Sequence, residues 1–327
     1  MAEPRVLCLG EILFDIISNE PGVHYEQVTS WTAYPGGAPA NVACALTKLG
    51  TSSGFVGCIG SDEPGDALVT LLQETGVNVD GIQRHDTAPT RQIYVIRTDT
   101  GDRQFVGFGD RPTTEFADTF LVADSLPVQL FETADYLVLG TLEMAYEQTA
   151  QAIERALDLA AQHHITTVLD VNWRPMFWQD VHQANKQIQS VLKRFDILKL
   201  SRDEAEWLFD TADSNAIAAQ LPSAKAVIVT DGDHGCTYRV SGYEGKVPAF
   251  IVDVDETTGA GDSFLAGFLH QLCQRGLDAL EQAEEIGEIV TYASAVGALT
   301  ATRPGAIAAQ PTRAEVEAFL HLYYQDS

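Results

Sequence analysis

The sequence is short of positive charge. It has 20 lysines and arginines against 46 aspartates and glutamates, a formal net charge of −26. Such a surface repels nucleic acid and anionic membranes, which argues against both as partners. Cysteine is scarce as well. Cys8, Cys44, Cys58, Cys236 and Cys273 are odd in number, with no CxxC pair and no Cys/His cluster at metal-ligand spacing. Cys8, Cys44 and Cys58 sit in apolar runs, where a free thiol packs as a small hydrophobe. This usage predicts a reducing, cytoplasmic setting. No apolar run reaches the ~20 residues that a membrane span needs. The N-terminal RVLCLGEILFDII is interrupted by Glu11 and Asp15, which argues against a signal peptide. Internal repeats and low-complexity tracts are also lacking.

What is present suits one large α/β domain over residues 1–327, with 45% hydrophobic residues to fill its core. RVLCLGEILFDII reads as a buried first strand that ends at Asp15. PANVACALTKLG reads as a helix stopped by Gly50, and SGFVGCIG as a strand. PGDALVTLLQETG reads as a helix with Pro64 in its first turn and Gly76 past its end. TRQIYVIRTDTGDRQFVGF has two strand-like runs around a TDTGD turn, which predicts an antiparallel hairpin. Residues 24–34, HYEQVTSWTAY, are strand-like too. Together these stretches predict a small β-sheet lid, built from segments 18–35 and 90–112. Its outer face would carry Tyr94, Ile96 and Phe105 or their neighbours, according to register.

After residue 134 the alternation is regular. DYLVLG, ITTVLDVN, DILKLS and AKAVIVTDG are strand-like, with amphipathic helices between them. Continuous apolar strands separated by helices predict a doubly wound, mainly parallel sheet covered on both faces. Ligands in such sheets bind at the carboxyl ends of the strands. Asp170, Asn172, Arg174, Ser201, Glu204, Thr230, Asp231 and Gly232 fall at those ends.

The usual nucleotide signatures fail. Gly245-Lys246 is followed by Val247, so there is no P-loop, and TGAGDSFLAG has Phe264 where a dinucleotide fingerprint needs glycine. What DETTGAGDSFLAGFL does offer is a helix N-terminus. Gly259, Ala260 and Gly261 free backbone N–H groups to meet an anion, and the helix dipole adds about half a positive charge. Asp262, in the first turn, is placed to take a proton from an incoming hydroxyl. An ordinary helix cap would look similar. A second cluster, YPGGAPANVACALTKLG, puts Gly36, Gly37 and Asn41 at another helix start. Alone it reads as a turn before a Pro-started helix, or else as the floor of a polar ligand site.

Together the two stretches resemble the signatures of the ribokinase-like (PfkB-type) carbohydrate kinases, most closely the fructokinases. PGGAPANVACALTKLGTSSGFVGCIGSDEPG is similar to the N-terminal signature and DETTGAGDSFLAGFL to the C-terminal one. GEILFD, DVNWRP, KLSRDEAEWL, VTDGDHG and RPGAIAAQP occur in the family's order, so the resemblance covers nearly the whole chain. It implies a ribokinase-like fold and Mg²⁺-dependent transfer of the ATP γ-phosphate to fructose O6. It implies Asp262 as base and Gly259, Ala260 and Gly261 as anion hole. Asp15, Gly36, Gly37 and Asn41 would meet the sugar, with Arg111 as a further sugar contact and Arg174 facing substrate or phosphate. Ser201, Thr230, Gly232 and Gly235 would hold the nucleotide, with Ala293 and Val296 beside the adenine. Glu204 would organise Mg²⁺ through water, and Glu256 and Gly305 would flank a potassium loop. A homodimer through the lid is also implied.

Three features depart from the family pattern. Ser201 replaces the asparagine of many members, as in many fructokinases. Glu256 replaces an aspartate, and FVGFGDRPTTEF differs in spacing from the lid of plant fructokinases. The same residues would also suit a sibling kinase for 2-keto-3-deoxygluconate, a ribosyl nucleoside or another furanose. A catalytically silent scaffold of the same fold is a rival of another class, and the intact GAGD run argues against it.

Overall fold

The computed structural model describes residues 3–98, 103–178 and 180–325. Along the chain, β1 (Val6–Leu9), β2 (Leu13–Ser18) and β3 (Trp31–Gly36) precede α1 (Ala38–Leu49). Next come β4 (Ser53–Gly60), α2 (Glu63–Thr75), β5 (Asn78–His85), β6 (Gln92–Arg97) and β7 (Arg103–Gly107). The middle runs α3 (Val128–Phe131), β8 (Tyr136–Leu139), α4 (Glu147–His163), β9 (Thr166–Asp170), α5 (Val181–Val191), β10 (Ile197–Ser201), α6 (Arg202–Phe209) and α7 (Ser214–Gln220). The last part holds β11 (Ala226–Thr230), β12 (Cys236–Val240), β13 (Tyr243–Val247), α8 (Ala260–Arg275), α9 (Ala283–Thr300), α10 (Ala306–Ala309) and α11 (Arg313–Gln325).

Nine strands form one sheet in the order β13-β12-β11-β10-β9-β8-β1-β4-β5. It is parallel from β5 through β11, and β12 and β13 add an antiparallel edge. Alternate residues of β1 feed two apolar layers, Val6 and Cys8 on one face and Leu7 and Leu9 on the other. This is the doubly wound arrangement that the apolar strands predicted. The five thiols are free and buried. Among the described residues no helix is long and apolar enough to cross a membrane.

A second sheet of four strands, in the order β3-β2-β6-β7, stands apart. Its β2–β3 and β6–β7 pairs are antiparallel, and β2–β6 is parallel. The structure departs from the sequence expectation in two places and settles a register that the sequence left open. The first apolar run is two strands, because the chain leaves the large sheet at Gly10 and enters the small one at Leu13. A Cβ at Gly10 would stand 2.5 Å from Pro39 Cγ, so only glycine permits this crossing. Asp15 therefore lies within the small sheet, not at the end of a core strand. In residues 24–34, Tyr25–Gln27 is a 3-10 turn and the strand begins at Trp31. Finally, a register shift between Tyr94 and Val95 puts Phe105 on the inner face with Ile93 and Val95, opposite Tyr94. Of the TDTGD turn, residues 99–102 lie outside the described residues.

The β12–β13 hairpin escaped the sequence reading. Its Ser241-Gly242 turn has positive φ at both residues (44° and 95°), as a two-residue hairpin of this kind requires.

The two sheets are joined at Arg91, which is fully buried just before β6. Its carbonyl accepts the Phe14 N–H at 3.1 Å. Its guanidinium grips Asp118 with Nε and Nη2, at 2.5 and 2.8 Å, and Nη2 also donates to the Thr113 carbonyl. Phe108, Phe116, Tyr146 and Phe177 surround it with ring centroids 4.6–5.6 Å away. Removing one partner of a buried pair leaves the other charged and dry. Arg91→Met is expected to cost about 3–5 kcal/mol of stability in urea unfolding. A loss under about 1 kcal/mol would contradict the clamp.

Candidate functional site

Two helix starts face each other. α1 begins at Gly37, whose φ of 108° and whose approach to the Glu11 carbonyl exclude a side chain. Pro39 then presets the first turn, and Asn41 points back toward α8. α8 begins at Gly259 in the left-handed region (φ 78°), packed against Ala306. Asn41 Nδ2 donates to Asp262 Oδ2 at 2.8 Å, joining residues 221 apart in sequence. Asn41's own carbonyl is held by Gln310 Nε2 at 2.8 Å.

Asp262 is half-buried. Burial raises its carboxyl above the ordinary value, opposed by Lys199, the Asn41 hydrogen bond and Arg174. A carboxylate held somewhat basic beside a dipole-positive helix end can take up a proton. The Ala260 N–H already donates to the Thr257 carbonyl at 3.1 Å. Of the three residues expected to form an anion hole, Ala260 therefore has its amide committed. The first-turn amides left by helical geometry are those of Gly261 and Asp262.

Two cavities meet at this helix start. One, of about 570 Å³, lies between the small sheet and the body; its lining includes Asp15, Gly37, Asn41, Arg174, Glu204 and Asp262. The inner sheet face adds Leu13, Ile17, Ile93, Val95 and Phe105 to it. The other, of about 310 Å³, is lined by Gly232, Gly235, Phe250, Val252, Ser294 and Ala298 among others. Thr230, Thr257 and Gly261 line both. Gly36 faces the Asp15 carboxylate, 3.0 Å from where its Cβ would stand.

Some expected residues do not gather. Ala293 and Val296 are fully buried against Gly267 of α8, and the neighbouring Ser294, Gly297 and Ala298 line the second cavity instead. Arg111 is 54% exposed, stands 3.9 Å from Glu115, and lines neither cavity. Ser201 and Glu204 form a capping box that starts α6. Glu204 Oε2 accepts the Ser201 N–H at 2.7 Å and Oε1 the Trp173 N–H at 2.6 Å, so this carboxylate also fixes the chain before Arg174. Glu256 Oε2 accepts the Gly305 N–H at 3.2 Å, closing the loop in front of α8.

At this site, three buried ionisable residues escaped the sequence reading. Lys199, in mid-β10, lines the larger cavity and pairs with Asp170 of β9 at 2.9 Å. Its only signal was a lone lysine in the apolar run DILKLS. Glu11 and Glu143 are buried beside the larger cavity's floor. Glu11 Oε1 accepts the Ala38 N–H at 2.8 Å. Glu11 Oε2 and both Glu143 oxygens find no donor among the described residues, and a proton held between the two adjacent carboxyls satisfies them best. Burial lifts Glu11 to about 7, and burial together with the Glu11 charge lifts Glu143 well above its ordinary value.

Residues 3–313 match the model of the pfkB family carbohydrate kinases. The chain is 35% identical to probable fructokinase-2 of Arabidopsis thaliana, over 97% of this chain and 96% of that one. It is similar to the ATP-bound fructokinase of Xylella fastidiosa, with a TM-score of 0.88 and 31% identity over 98% of each chain. It is also similar to a fructokinase double mutant from Vibrio cholerae O395 in its fructose-, ADP- and potassium-bound form. That likeness has a TM-score of 0.84 and 25% identity, over 97% of this chain and 98% of that one.

The carboxyl pair has a measurable consequence. The native state keeps protons that the unfolded chain releases near its ordinary pKa of 4.5. The resulting stabilisation is complete below that pH and is lost as pH rises through about 7 for Glu11 and beyond for Glu143. Thermal denaturation from pH 5 to 8 is expected to show the wild type losing stability more steeply than Glu143→Gln, by up to about 1.4 kcal/mol per pH unit for each proton. Parallel curves would contradict the shared proton.

Proposed function

Because the chain belongs to the pfkB family of carbohydrate kinases, we propose that it is an ATP-dependent fructokinase, transferring the ATP γ-phosphoryl group to the 6-hydroxyl of D-fructose. The observation that carries this reading is the meeting of two cavities at Gly261, with the Asp262 carboxylate beside the junction. A sugar in the larger cavity and a nucleotide in the smaller would have their reacting ends at one helix N-terminus.

In this reading Asp262 takes the hydroxyl proton while Asn41 fixes its carboxylate. The amides of Gly261 and Asp262 face the charge that builds on the transferred group. Asp15 and Asn41 hold sugar hydroxyls against the Gly36–Gly37 backbone. Thr230, Gly232 and Gly235 flank the nucleotide, and Arg174 meets phosphate at the rim. Closure of the small sheet over the sugar excludes water, and Arg111 would be brought closer by that motion.

No three metal-ligating side chains converge among the described residues. That donor set fits a magnesium ion held by ATP phosphates and water, with Glu204 reaching it through water. When bound, such an ion neutralises phosphate charge and orients the triphosphate. The loop closed by Glu256 and Gly305 is the candidate seat for potassium, the ion in the Vibrio cholerae form. The buried free thiols support a cytoplasmic setting.

Asp15 puts negative charge on the cavity floor, which favours a neutral sugar over a sugar acid. Arg174 is the feature that keeps 2-keto-3-deoxygluconate as a second reading. A panel of sugars with Mg-ATP, scored by ADP release, is expected to show fructose turned over best. Asp262→Asn should then lower kcat by about 10²–10⁴ with little change in either KM. Wild-type turnover in that variant would remove Asp262 from the role of base.

The outer face of the small sheet carries Tyr25, Trp31 and Tyr94 in edge-to-face contact, with centroids 5.4–5.8 Å apart. A thin sheet with an apolar outer face suits a homodimer through paired lids. Light scattering at physiological salt should give twice the chain mass, and a fully active monomer would contradict the pairing.

A further inference from the structure

Lys199 is the one lysine in an otherwise apolar strand core. Its side chain is 7% exposed and that of Asp170 is 4% exposed. Parallel register sets the two Cα positions side by side on β9 and β10. Lys199 Nζ donates to Asp170 Oδ1 at 3.1 Å and to Oδ2 at 2.9 Å. A buried pair of this kind is a poor means of stabilising a sheet. Apolar residues of similar volume usually do as well or better, as Val168 and Ile228 do nearby.

The position of the ammonium suggests what the pair does. A Cβ built on Gly261 would stand 2.9 Å from Lys199 Nζ. The charge therefore lies against the first turn of α8, in the cavity that Asp262 lines. An ammonium has three N–H donors. Asp170 accounts for two, and no other acceptor is bonded to Nζ among the described residues. The third is left for whatever fills the space beside Gly261. Burial pulls the Lys199 ammonium down, but Asp170, Glu204 and Asp262 together hold it above its ordinary value, so it stays charged.

On the kinase reading given above, we propose that Lys199, held in place by Asp170, is a catalytic residue whose ammonium contacts the transferring phosphoryl group at the N-terminus of α8. During transfer the sugar O6–H proton passes to Asp262. The O6–P bond forms, the P–O bond to the β-phosphate breaks, and ADP leaves with that electron pair. Lys199 exchanges no proton. It supplies fixed positive charge where a chain of net charge −26 otherwise offers mainly backbone amides. Gly261 then has a second reason to be glycine, because a side chain there would displace the ammonium.

Lys199→Met alone would strand Asp170, so the decisive variant is Lys199→Met/Asp170→Leu, which removes both charges and keeps the core apolar. It is expected to fold, to keep both KM values within about threefold, and to lose about 10²–10³ in kcat. With magnesium and sugar present, fluoroaluminate should tighten ADP binding at least about tenfold in the wild type and not in the variant. A folded double variant with wild-type kcat, or with fluoroaluminate tightening intact, overturns the proposal and leaves the kinase reading standing. A wild-type protein that phosphorylates no sugar overturns both. Should the double variant not fold, a wild-type crystal structure with ADP, fluoroaluminate and sugar decides. Nζ within about 3.2 Å of a fluoride supports the contact, and a separation beyond about 4 Å overturns it.

Discussion

The hydrogen bond from Asn41 Nδ2 to Asp262 Oδ2 ties the start of α1 to the start of α8. The rest of the site depends on it. Two helices can meet end-on at this distance only if neither start carries bulk, so Gly37 and Gly259 stand at the two caps, both with positive φ. The cost in backbone freedom at each glycine is offset by what the meeting creates: a carboxylate of fixed direction, beside first-turn amides, where two cavities join. α8 is held in that place from behind. Gly267 lets it approach Ala293 and Val296 of α9 closely, and Gly297 lets the Ala260 carbonyl come near.

Charge is the second constraint. The chain carries −26, and Glu11, Asp15, Asp170, Glu204 and Asp262 crowd around the larger cavity or its wall. A triphosphate entering there meets strong repulsion unless local positive charge outweighs the field of the whole molecule. Lys199, Arg174, the α8 dipole and a bound divalent ion are the local sources. Several carboxylates are already committed to protein donors. Glu204 accepts two backbone N–H groups, Glu11 one, and Asp170 the Lys199 ammonium. Their charge is thereby partly spent, and Asp262 alone among them combines a basic environment with access to the cavity junction.

The legible part of the fold was the part written locally. Helix starts and stops at Pro39, Gly50, Pro64 and Gly76 are short-range backbone chemistry, and each lies where the sequence put it. The small sheet was legible as a change of texture, but not its joint with the body. RVLCLGEILFDII has no polar break strong enough to announce that the chain changes sheets at Gly10, since Glu11 is buried against Glu143, more than a hundred residues away in sequence. The face of Phe105 depended on a register shift, and the cavity-lining residues of α9 on helical phase, neither of which a single sequence reveals. Lys199 shows the same limit from the other side. A lysine in a strand reads as an exposed edge residue until the neighbouring strand supplies Asp170 and the helix above supplies Gly261.

The central claim is that this junction moves a phosphoryl group to the sugar hydroxyl beside Asp262. Phosphorus NMR of the product formed from D-fructose and Mg-ATP tests it most directly, because proton coupling reports which carbon bears the phosphate. The account predicts one phosphomonoester resonance coupled to the C6 methylene protons. A phosphate on another carbon, or ADP formed with no phosphorylated sugar, would contradict it.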